Sequence, residues 1–161
     1  MVLPSGGHFD GDGHSISNLQ LDKKHLNFIG LFGNLKDGSV SSLHLVSIAQ
    51  LYGGKYVGAI TGYLQNGSIQ GYSASGFKLE AIEHVGGIVG SAVDSTIDSC
   101  VNNISVELIL GGSHKVGGIA GSSYITGAIS SDIDIFKNCI NNETVDCSND
   151  DYDNCTGGIV A

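Results

Sequence analysis

Five copies of one glycine-containing phrase constrain the fold of this chain more than any other feature. The copies are FIGLFG (28–33), VGAITG (57–62), VGGIVG (85–90), VGGIAG (116–121) and TGGIVA (156–161). Their starts are 29, 28, 31 and 40 residues apart. A unit of this length that recurs along a chain indicates a repeat architecture, in which each unit packs against the next. We therefore predict a single repeat domain over residues 1–161, with repeats that start near 28, 57, 85, 116 and 156.

A second element follows each of the first four phrases, namely two apolar residues spaced three apart. These pairs are Val40/Leu43, Ile69/Tyr72, Ile97/Cys100 and Phe136/Cys139, and a similar pair, Ile16/Leu19, precedes the first phrase. The distance from the closing glycine to the end of the pair is 10 residues in three copies and 18 in the fourth. One longer interval in an otherwise constant spacing predicts an eight-residue insertion within 122–135, in a loop on a regular scaffold.

The local composition favours strands over helices. Short runs rich in Ile and Val are broken by Gly, Asn, Asp and Ser, and each of the 25 glycines would weaken a helix interior by about 1 kcal/mol. The best helical candidate is the segment 77–84, FKLEAIEH, with at most two turns. We predict an all-β fold, a β-solenoid (parallel β-helix) of about five turns with glycine-rich corners. Two internal stacks are expected: Leu31, Ile60, Ile88, Ile119 and Ile159 in one, and Leu19, Leu43, Tyr72, Cys100 and Cys139 in the other.

Several phrases resemble the GLUG-motif repeat family. They are FDGDGHSISNL (9–19), GLFGNL (30–35), GSVSSLHL (38–45) and VGGIVG (85–90) with the STIDSCVN that follows it. The resemblance covers roughly residues 7–161. Members of this family occur in large bacterial surface proteins, including adhesins and the non-catalytic repeat regions of immunoglobulin A1 peptidases. The resemblance implies a non-catalytic extracellular module, a stalk or adhesive surface, with a host or cell-surface protein or a glycan as its partner.

The boundaries and charge of the chain limit its expected context. The chain ends on a glycine phrase without a polar cap, so we expect it to be a fragment of a longer protein. The net charge is −9 with seven basic residues, whereas a nucleic-acid surface needs clustered Lys or Arg. No apolar run approaches the ~18 residues of a membrane span, and the N-terminus lacks the features of a signal peptide. We therefore expect no nucleic-acid binding and no membrane insertion by this segment, and we expect the signal and anchor to lie elsewhere in the parent protein.

Catalytic motifs are missing from the sequence. The segment GYSAS (71–75) has Ser75 where the G-x-S-x-G pattern needs glycine, and no H-E-x-x-H occurs. We expect no enzyme activity and no cofactor. The alternative is a carbohydrate-binding or polysaccharide-cleaving β-helix domain, with Asp132 and Asp134 of the insertion and Lys137 after it as candidate binding residues. A polar loop explains these three residues equally well.

The acidic run NDDYDN (149–154) is the candidate ion site. Its carboxylates, Asp150, Asp151 and Asp153, are hard oxygen ligands of the kind that calcium prefers. The run lacks the glycine and the distal glutamate of an EF-hand loop. A solvated acidic loop is therefore the favoured interpretation, and we predict no metal site.

The four cysteines leave two questions open. Cys100 and Cys139 occupy the same repeat position on successive turns, within disulfide range of each other. The favoured alternative is a stack of two buried thiols that pack as small apolar groups. Cys147 and Cys155 flank the acidic run, and a disulfide between them is expected if the protein is secreted. No C-x-x-C pair is present, which argues against a zinc ribbon.

Overall fold

Equivalent strands of successive repeats pair side by side in parallel, so the chain winds as a stack of coils. The computed structural model describes residues 5–109, 115–126, 135–146 and 155–159. Within these ranges all regular structure is strand and no helix forms. The prediction of an all-β parallel β-solenoid is confirmed, with about four turns rather than five.

Each coil contributes four or five short strands. The first coil contains β1 (His8–Asp10), β2 (Ser15–Ser17), β3 (Gln20–Lys23) and β4 (Phe32–Lys36). The second contains β5 (Ser39–Ser41), β6 (His44–Ile48), β7 (Gln50–Gly53), β8 (Val57–Gly58) and β9 (Thr61–Gln65). The third contains β10 (Ser68–Gln70), β11 (Ser73–Ala81), β12 (His84–Gly86) and β13 (Val89–Val93). The fourth contains β14 (Thr96–Asp98), β15 (Val101–Leu108), β16 (Lys115–Gly117) and β17 (Ala120–Tyr124). The partial fifth contains β18 (Phe136–Lys137), β19 (Ile140–Asn141), β20 (Val145–Asp146) and β21 (Cys155–Gly157).

These strands form four parallel sheets that surround the core. Sheet I has the order β1-β5-β10-β14-β18, and sheet II has the order β19-β15-β11-β6-β2, with β20 paired to β15 and β3 paired to β7. Sheet III has the order β21-β16-β12-β8, and sheet IV has the order β17-β13-β9-β4. The second, third and fourth coils pass through the sheets in the sequence I, II, III, IV, and each step to the next coil advances by about 4.8 Å.

The strand register locates the insertion in the fourth coil. Val93 pairs with Tyr124, and Ile97 pairs with Phe136. Ile97 follows Val93 by four positions, whereas Phe136 follows Tyr124 by twelve positions. The eight extra residues therefore lie between Tyr124 and Phe136, at the corner between sheets IV and I. Residues 127–134, which make up most of this interval, lie outside the described part of the chain.

The fourth position of the glycine phrases forms a continuous apolar column inside the coils, as predicted. Ile60, Ile88 and Ile119 are fully buried, and Leu31 is 7% exposed. The backbone N–H of Ile60 donates to the Ile88 carbonyl at 3.0 Å, and the N–H of Ile88 donates to Ile119 at 2.9 Å. Each fully buried aliphatic side chain of this kind contributes about 1.5–3 kcal/mol to folding. The column therefore supplies much of the free energy that holds neighbouring coils together.

The second predicted column is correct except for its first member. Leu43, Tyr72 and Cys100 are buried in successive coils, and Cys139 is partly buried. Leu19, however, accepts a hydrogen bond from the Ala49 N–H at 3.1 Å and so lies on sheet II, away from Leu43. The assignment was wrong because Leu45 and Ile48 of sheet II have the same three-residue spacing, and Ile16 pairs with Leu45. The first-coil partner of Val40 is Phe9.

The segment 77–84 is extended rather than helical. Leu79 and Ala81 of β11 point into the core and are fully buried. Lys78 lies on the opposite face of the strand, with Nζ 2.8 Å from Glu80 Oε1 and 3.0 Å from Glu107 Oε2. This alternation fits a strand with one buried face. Pairing with the coils on both sides outweighs the helical preference of Lys, Leu, Glu and Ala.

A buried asparagine interrupts the apolar interior at the fourth coil. Asn102 is fully buried, and its Nδ2 donates to the Ile104 carbonyl and to Asn141 Oδ1, both at 2.8 Å. Its Oδ1 accepts from the Ile104 N–H at 3.2 Å. The side chain lies against Gly87, where an added Cβ would be 2.3 Å from Asn102 Cγ. In the preceding coil the position of Asn102 is occupied by Ala74, and the position of Gly87 is occupied by Ala59. The amide therefore occupies space that a glycine leaves free.

Candidate functional site

The outer face of sheet I carries Lys137, one of the candidate binding residues. Lys137 is exposed and pairs in register with Asp98. The two residues border a shallow depression of about 290 Å³, whose other lining residues are Ser68, Ile69, Gln70 and Thr96. The depression offers hydroxyl, amide, carboxylate and ammonium groups along three coils. It is a polar surface with one possible acid–base pair.

The carboxylate of Asp98 is already engaged in hydrogen bonds. Its Oδ1 accepts from Asn138 Nδ2 at 3.1 Å and from Ser99 Oγ at 2.9 Å. The hydrogen bond from Asn138, then that from Ser99, and the nearby charge of Lys137 lower the pKa of Asp98. A carboxylate that stays ionised and hydrogen-bonded is suited to orienting a partner or bracing the coil. It is poorly suited to act as a general acid.

Most of the other predicted site residues lie outside the described ranges. This applies to Asp132 and Asp134 of the insertion, to the acidic candidates Asp150, Asp151 and Asp153, and to Cys147. Cys155 begins β21, where its backbone pairs with Lys115. The grouping of Asp132 and Asp134 with Lys137, the calcium site and the loop disulfide therefore stay predictions.

Cys100 and Cys139 are neighbours in one column, and both are free thiols in this structure. Cys100 is buried, and its Sγ lies 3.2 Å from the carbonyl oxygen of Asp98. Cys139 is partly exposed, and its Sγ donates to the Lys137 carbonyl at 3.2 Å. A hydrogen bond between the two thiols lowers the pKa of Cys139 to about 7 and raises the pKa of Cys100. Cys139 is therefore the more nucleophilic of the two.

A column of aromatic rings runs along the outside of the coils, at the entry to sheet III. Phe28 and Tyr56 stack with centroids 5.3 Å apart and planes at 6°. Tyr56 and His84 stack with centroids 5.0 Å apart and planes at 5°. His84 pairs in register with Lys115, which continues the column into the fourth coil. We call Phe28, Tyr56, His84 and Lys115 the outer column.

Tyr63 of sheet IV packs against the side of the outer column. Its ring is 5.9 Å from Phe28 and 5.8 Å from Tyr56, edge to face in both cases. Burial, together with a hydrogen bond to Tyr124, raises the pKa of Tyr63 to about 12. Edge-to-face and stacked pairs each add about 0.5–1.5 kcal/mol beyond the burial of their area. The four rings therefore form a rigid cluster that stays partly open to solvent, since Phe28 is 39% exposed.

The backbone beneath two of these rings adopts an unusual conformation. Phe28 and Tyr56 have φ of 60° and 59°, in the left-handed region. The other nine non-glycine residues with positive φ among those described are all Asp, Asn or Ser, which tolerate this region better. Holding a bulky residue there costs about 1–3 kcal/mol, and such strain is concentrated at functional sites.

The outer column was missed from the sequence because of a one-residue offset in the first phrase. Ile29, not Phe28, pairs with Val57, so Ile29 is the residue of the first phrase that matches the first residue of the second phrase. The first phrase is one residue shorter than the others, since Phe32 pairs with Thr61. The correct alignment places Phe28, Tyr56 and His84 directly before the phrases. An aromatic residue or a histidine at that position in three copies is the sequence signal that would have revealed the outer column.

A cationic depression adjoins the outer column. It has a volume of about 240 Å³ and is lined by Lys24, His25, Asn27, Gly54, Lys55, Ile82 and Glu83. Asn27, Lys55 and Glu83 directly precede the three rings, so each coil supplies one residue to the depression and the next to the column. Lys55 Nζ is 2.5 Å from Glu83 Oε1, and this hydrogen bond raises the pKa of Lys55. The Lys55 N–H donates to Asn27 Oδ1 at 3.0 Å.

The described residues hold neither a clustered set of metal ligands nor a membrane-spanning helix. Across the described ranges, no three His, Cys, Asp or Glu side chains are grouped so that they could hold a metal ion. In the same part of the chain, no helix is long and apolar enough to cross a membrane.

Comparison with known proteins gives one partial similarity. No family model matches the chain, so the resemblance to GLUG repeats stays a prediction. Over 85 residues, which are 53% of the chain, the sequence is 35% identical to halomucin from Haloquadratum walsbyi. This match covers 1% of the length of halomucin. No solved structure matches.

Proposed function

We propose that this chain is a non-catalytic repeat module of a larger surface or secreted protein, and that it acts as a stalk with an adhesive face. The observation that carries the proposal is that many outer polar side chains bond to the equivalent region of the next coil. Asn66 Nδ2 donates to Asp37 Oδ1 at 3.0 Å, and Asn142 Nδ2 donates to Asn103 Oδ1 at 2.8 Å. Polar side chains that are hydrogen-bonded between coils stiffen the stack of coils and are not available for catalysis.

The same pattern recurs on sheet II. His44 Nδ1 lies 2.7 Å from Ser73 Oγ, and Gln50 Nε2 donates to Glu80 Oε2 at 2.6 Å. In a solenoid each coil contacts mainly its neighbours, so bonds of this kind add along the axis and favour a rod over a globule. The resemblance to surface-protein repeats and the partial similarity to halomucin, named as a mucin, support an extracellular location.

The location can be tested by mild proteolysis of intact cells that produce the parent protein. We expect peptides from this chain to be released before any cytoplasmic marker appears. Release only after lysis would contradict the surface module. A non-cleaving protease treatment, with the enzyme inactivated beforehand, controls for shedding.

A carbohydrate-binding role is the second candidate, favoured by the rings and polar groups of the outer column and its adjoining depression. Polysaccharide cleavage has less support, because only Lys137 of its predicted residues lies at a described depression and the neighbouring Asp98 accepts two hydrogen bonds that keep it ionised. An assay for new reducing ends or unsaturated products with the purified domain tests cleavage. We expect none, and product formation that is lost in Lys137→Ala would overturn the non-catalytic proposal.

A further inference from the structure

We propose that the outer column and the adjoining cationic depression together bind an acidic saccharide, one that carries carboxylate or sulfate groups. The inference rests on the proposed function, because it assigns a ligand class to the adhesive face. It has three steps, which concern the rings, the hydrogen-bonding groups and the charge.

The rings supply an apolar platform of fixed shape. Three of them are stacked within 6° of parallel, and Tyr63 braces the stack from the side. Pyranose rings present C–H faces that pack on aromatic surfaces, and Phe28 at the end of the stack keeps 39% of its surface exposed. A rigid platform loses little conformational entropy when a ligand binds.

The backbone at the platform is arranged around these rings. A Cβ at Gly62 would be 2.5 Å from the Phe28 Cα, and a Cβ at Gly90 would be 2.6 Å from the Tyr56 carbonyl carbon. Glycine at these places lets the chain cross directly beneath the rings. Phe28 and Tyr56 both adopt left-handed φ here, a conformation that strains residues of this size.

Hydrogen-bonding groups lie one residue away from each ring. The depression lined by Asn27, Lys55 and Glu83 presents an amide, an ammonium and a carboxylate within about 240 Å³. Binding sites for small polar ligands combine an apolar wall with a few convergent polar groups of this kind. The spacing follows the coils, so a sugar on the free face of Phe28 would begin a chain that meets the edges of Tyr56 and His84 and one polar group at each coil.

The local charge selects an anionic ligand. Four of the seven lysines of the chain lie here: Lys23, Lys24, Lys55 and Lys115. Lys23, Lys24 and Lys55 line the two depressions at this end together with Asp22 and Glu83, so the lining carries one excess positive charge, and Lys115 lies beyond it in the outer column. The chain as a whole has a charge of −9, so this region stands out as positive in an acidic protein. Lys24 is also held in place, with Nζ 4.9 Å from the centre of the Tyr52 ring.

The test measures binding of the intact domain to matched polymers by calorimetry at physiological salt. Dextran sulfate and dextran differ only in sulfate groups, polygalacturonate supplies carboxylates, and polyglutamate is a polyanion without sugar rings. We expect binding to one or both acidic polysaccharides and at least about tenfold weaker binding to dextran and to polyglutamate. Equal binding of dextran, equal binding of polyglutamate, or no binding to either acidic polysaccharide would overturn the proposal.

Variants locate the site. Tyr56→Asn removes a ring while keeping a residue that accepts positive φ, and the double variant Lys24→Ala/Lys55→Ala removes two exposed cations without touching the core. Both should weaken binding by about tenfold or more. The matched controls are Phe77→Ala, a 72% exposed ring on another face, and Lys36→Ala, an exposed lysine on sheet IV. Controls that weaken binding as much as the site variants would also overturn the proposal.

The outcome is separable from that of the proposed function. If the binding experiment fails while proteolysis of intact cells releases the chain, the surface module stands and the ligand assignment falls. If Tyr56→Asn does not fold, as judged by its circular dichroism, the lysine pair alone decides the result.

Discussion

Replacing Gly87 by alanine is expected to destabilise the solenoid strongly, although the change adds a single methyl group. The new Cβ would lie 2.3 Å from Asn102 Cγ, 2.3 Å from the Gly118 carbonyl oxygen and 2.5 Å from Asn102 Nδ2. Ordinary van der Waals contacts begin at 3.4 Å, so the amide has to move by about 1 Å. Three hydrogen bonds, at 2.8, 2.8 and 3.2 Å, hold that amide in place.

The size of the effect follows from two terms. Overpacking a dense core costs about 1–3 kcal/mol, and each buried hydrogen bond that is disturbed costs about 1 kcal/mol more. We expect a loss of about 3 kcal/mol in the free energy of unfolding. For a domain of this size that corresponds to a fall in Tm of about 6–12 °C.

A second substitution, Asn102→Ala, tests whether the loss of stability comes from the clash with Asn102 or from a general intolerance of side chains at position 87. Gly87 faces Asn102 of the next coil, and the equivalent positions one coil earlier are Ala59 and Ala74, so the double variant Gly87→Ala/Asn102→Ala recreates a pair that the fold already accepts. Asn102→Ala alone should cost about 1–3 kcal/mol, because it leaves backbone groups of Ile104 unpaired. The double variant should be more stable than the sum of the single effects by at least about 1 kcal/mol.

The assay is urea unfolding followed by circular dichroism, with Ala59→Gly as the matched reference. That reverse change relieves no clash and should cost about 1 kcal/mol or less. The steric reasoning is refuted if Gly87→Ala leaves the unfolding midpoint unchanged, or if the two single effects add within about 0.5 kcal/mol.

Three further predictions concern buried or paired polar groups. The fully buried Tyr72 hydroxyl has no hydrogen-bond partner among the described residues, so Tyr72→Phe should raise the stability by about 1 kcal/mol, and a clear loss in urea unfolding would show that the hydroxyl is bonded. Alkylation of Cys139 should accelerate as the pH rises through about 7, while Cys100 stays unreactive in the folded protein; mass spectrometry of the labelled peptides would expose the opposite order. Lys78→Met should cost about 1 kcal/mol at neutral pH, because it removes the cation between Glu80 and Glu107. Those partners raise the pKa of Lys78, so its contribution is complete below pH 10.5 and should decline above it, and a difference that grows with alkalinity would contradict the pairing.

The spacing of apolar residues was enough to predict the architecture. The sequence predicts the column of Ile60, Ile88 and Ile119, because a stacked repeat places the same core position in each coil. The insertion was also located, since a loop changes the spacing without changing the register on either side. Composition and hydropathy were enough to predict the column and the insertion, because both features depend only on which residues are buried.

The outer surface was harder to predict, because its features depend on the exact register in which one coil aligns with the next. An offset of one residue in the first phrase hid the relation of Phe28 to Tyr56, and stacking of these rings exists only in the correct register. In the same way, the spacing of Ile16 and Leu19 matches two different sheets, and only backbone pairing decides between them. The helical preference of 77–84 was overridden by pairing with residues about 28 positions away, which a local pattern does not contain.

The outer column also separates what each coil must keep from what it is free to change. Moving along the axis, the exposed position changes from phenylalanine to tyrosine, histidine and lysine, while the adjacent buried position stays Ile29, Val57, Val85 and Val116. Two adjacent positions are thus constrained differently. The shape of the core limits the buried residue, and the molecules that contact the surface limit the exposed residue. Such a module can acquire a new specificity one coil at a time, at intervals of about 4.8 Å, while the buried neighbour stays the same. A designer could use the same position as a linear array and change its chemistry without redesigning the core.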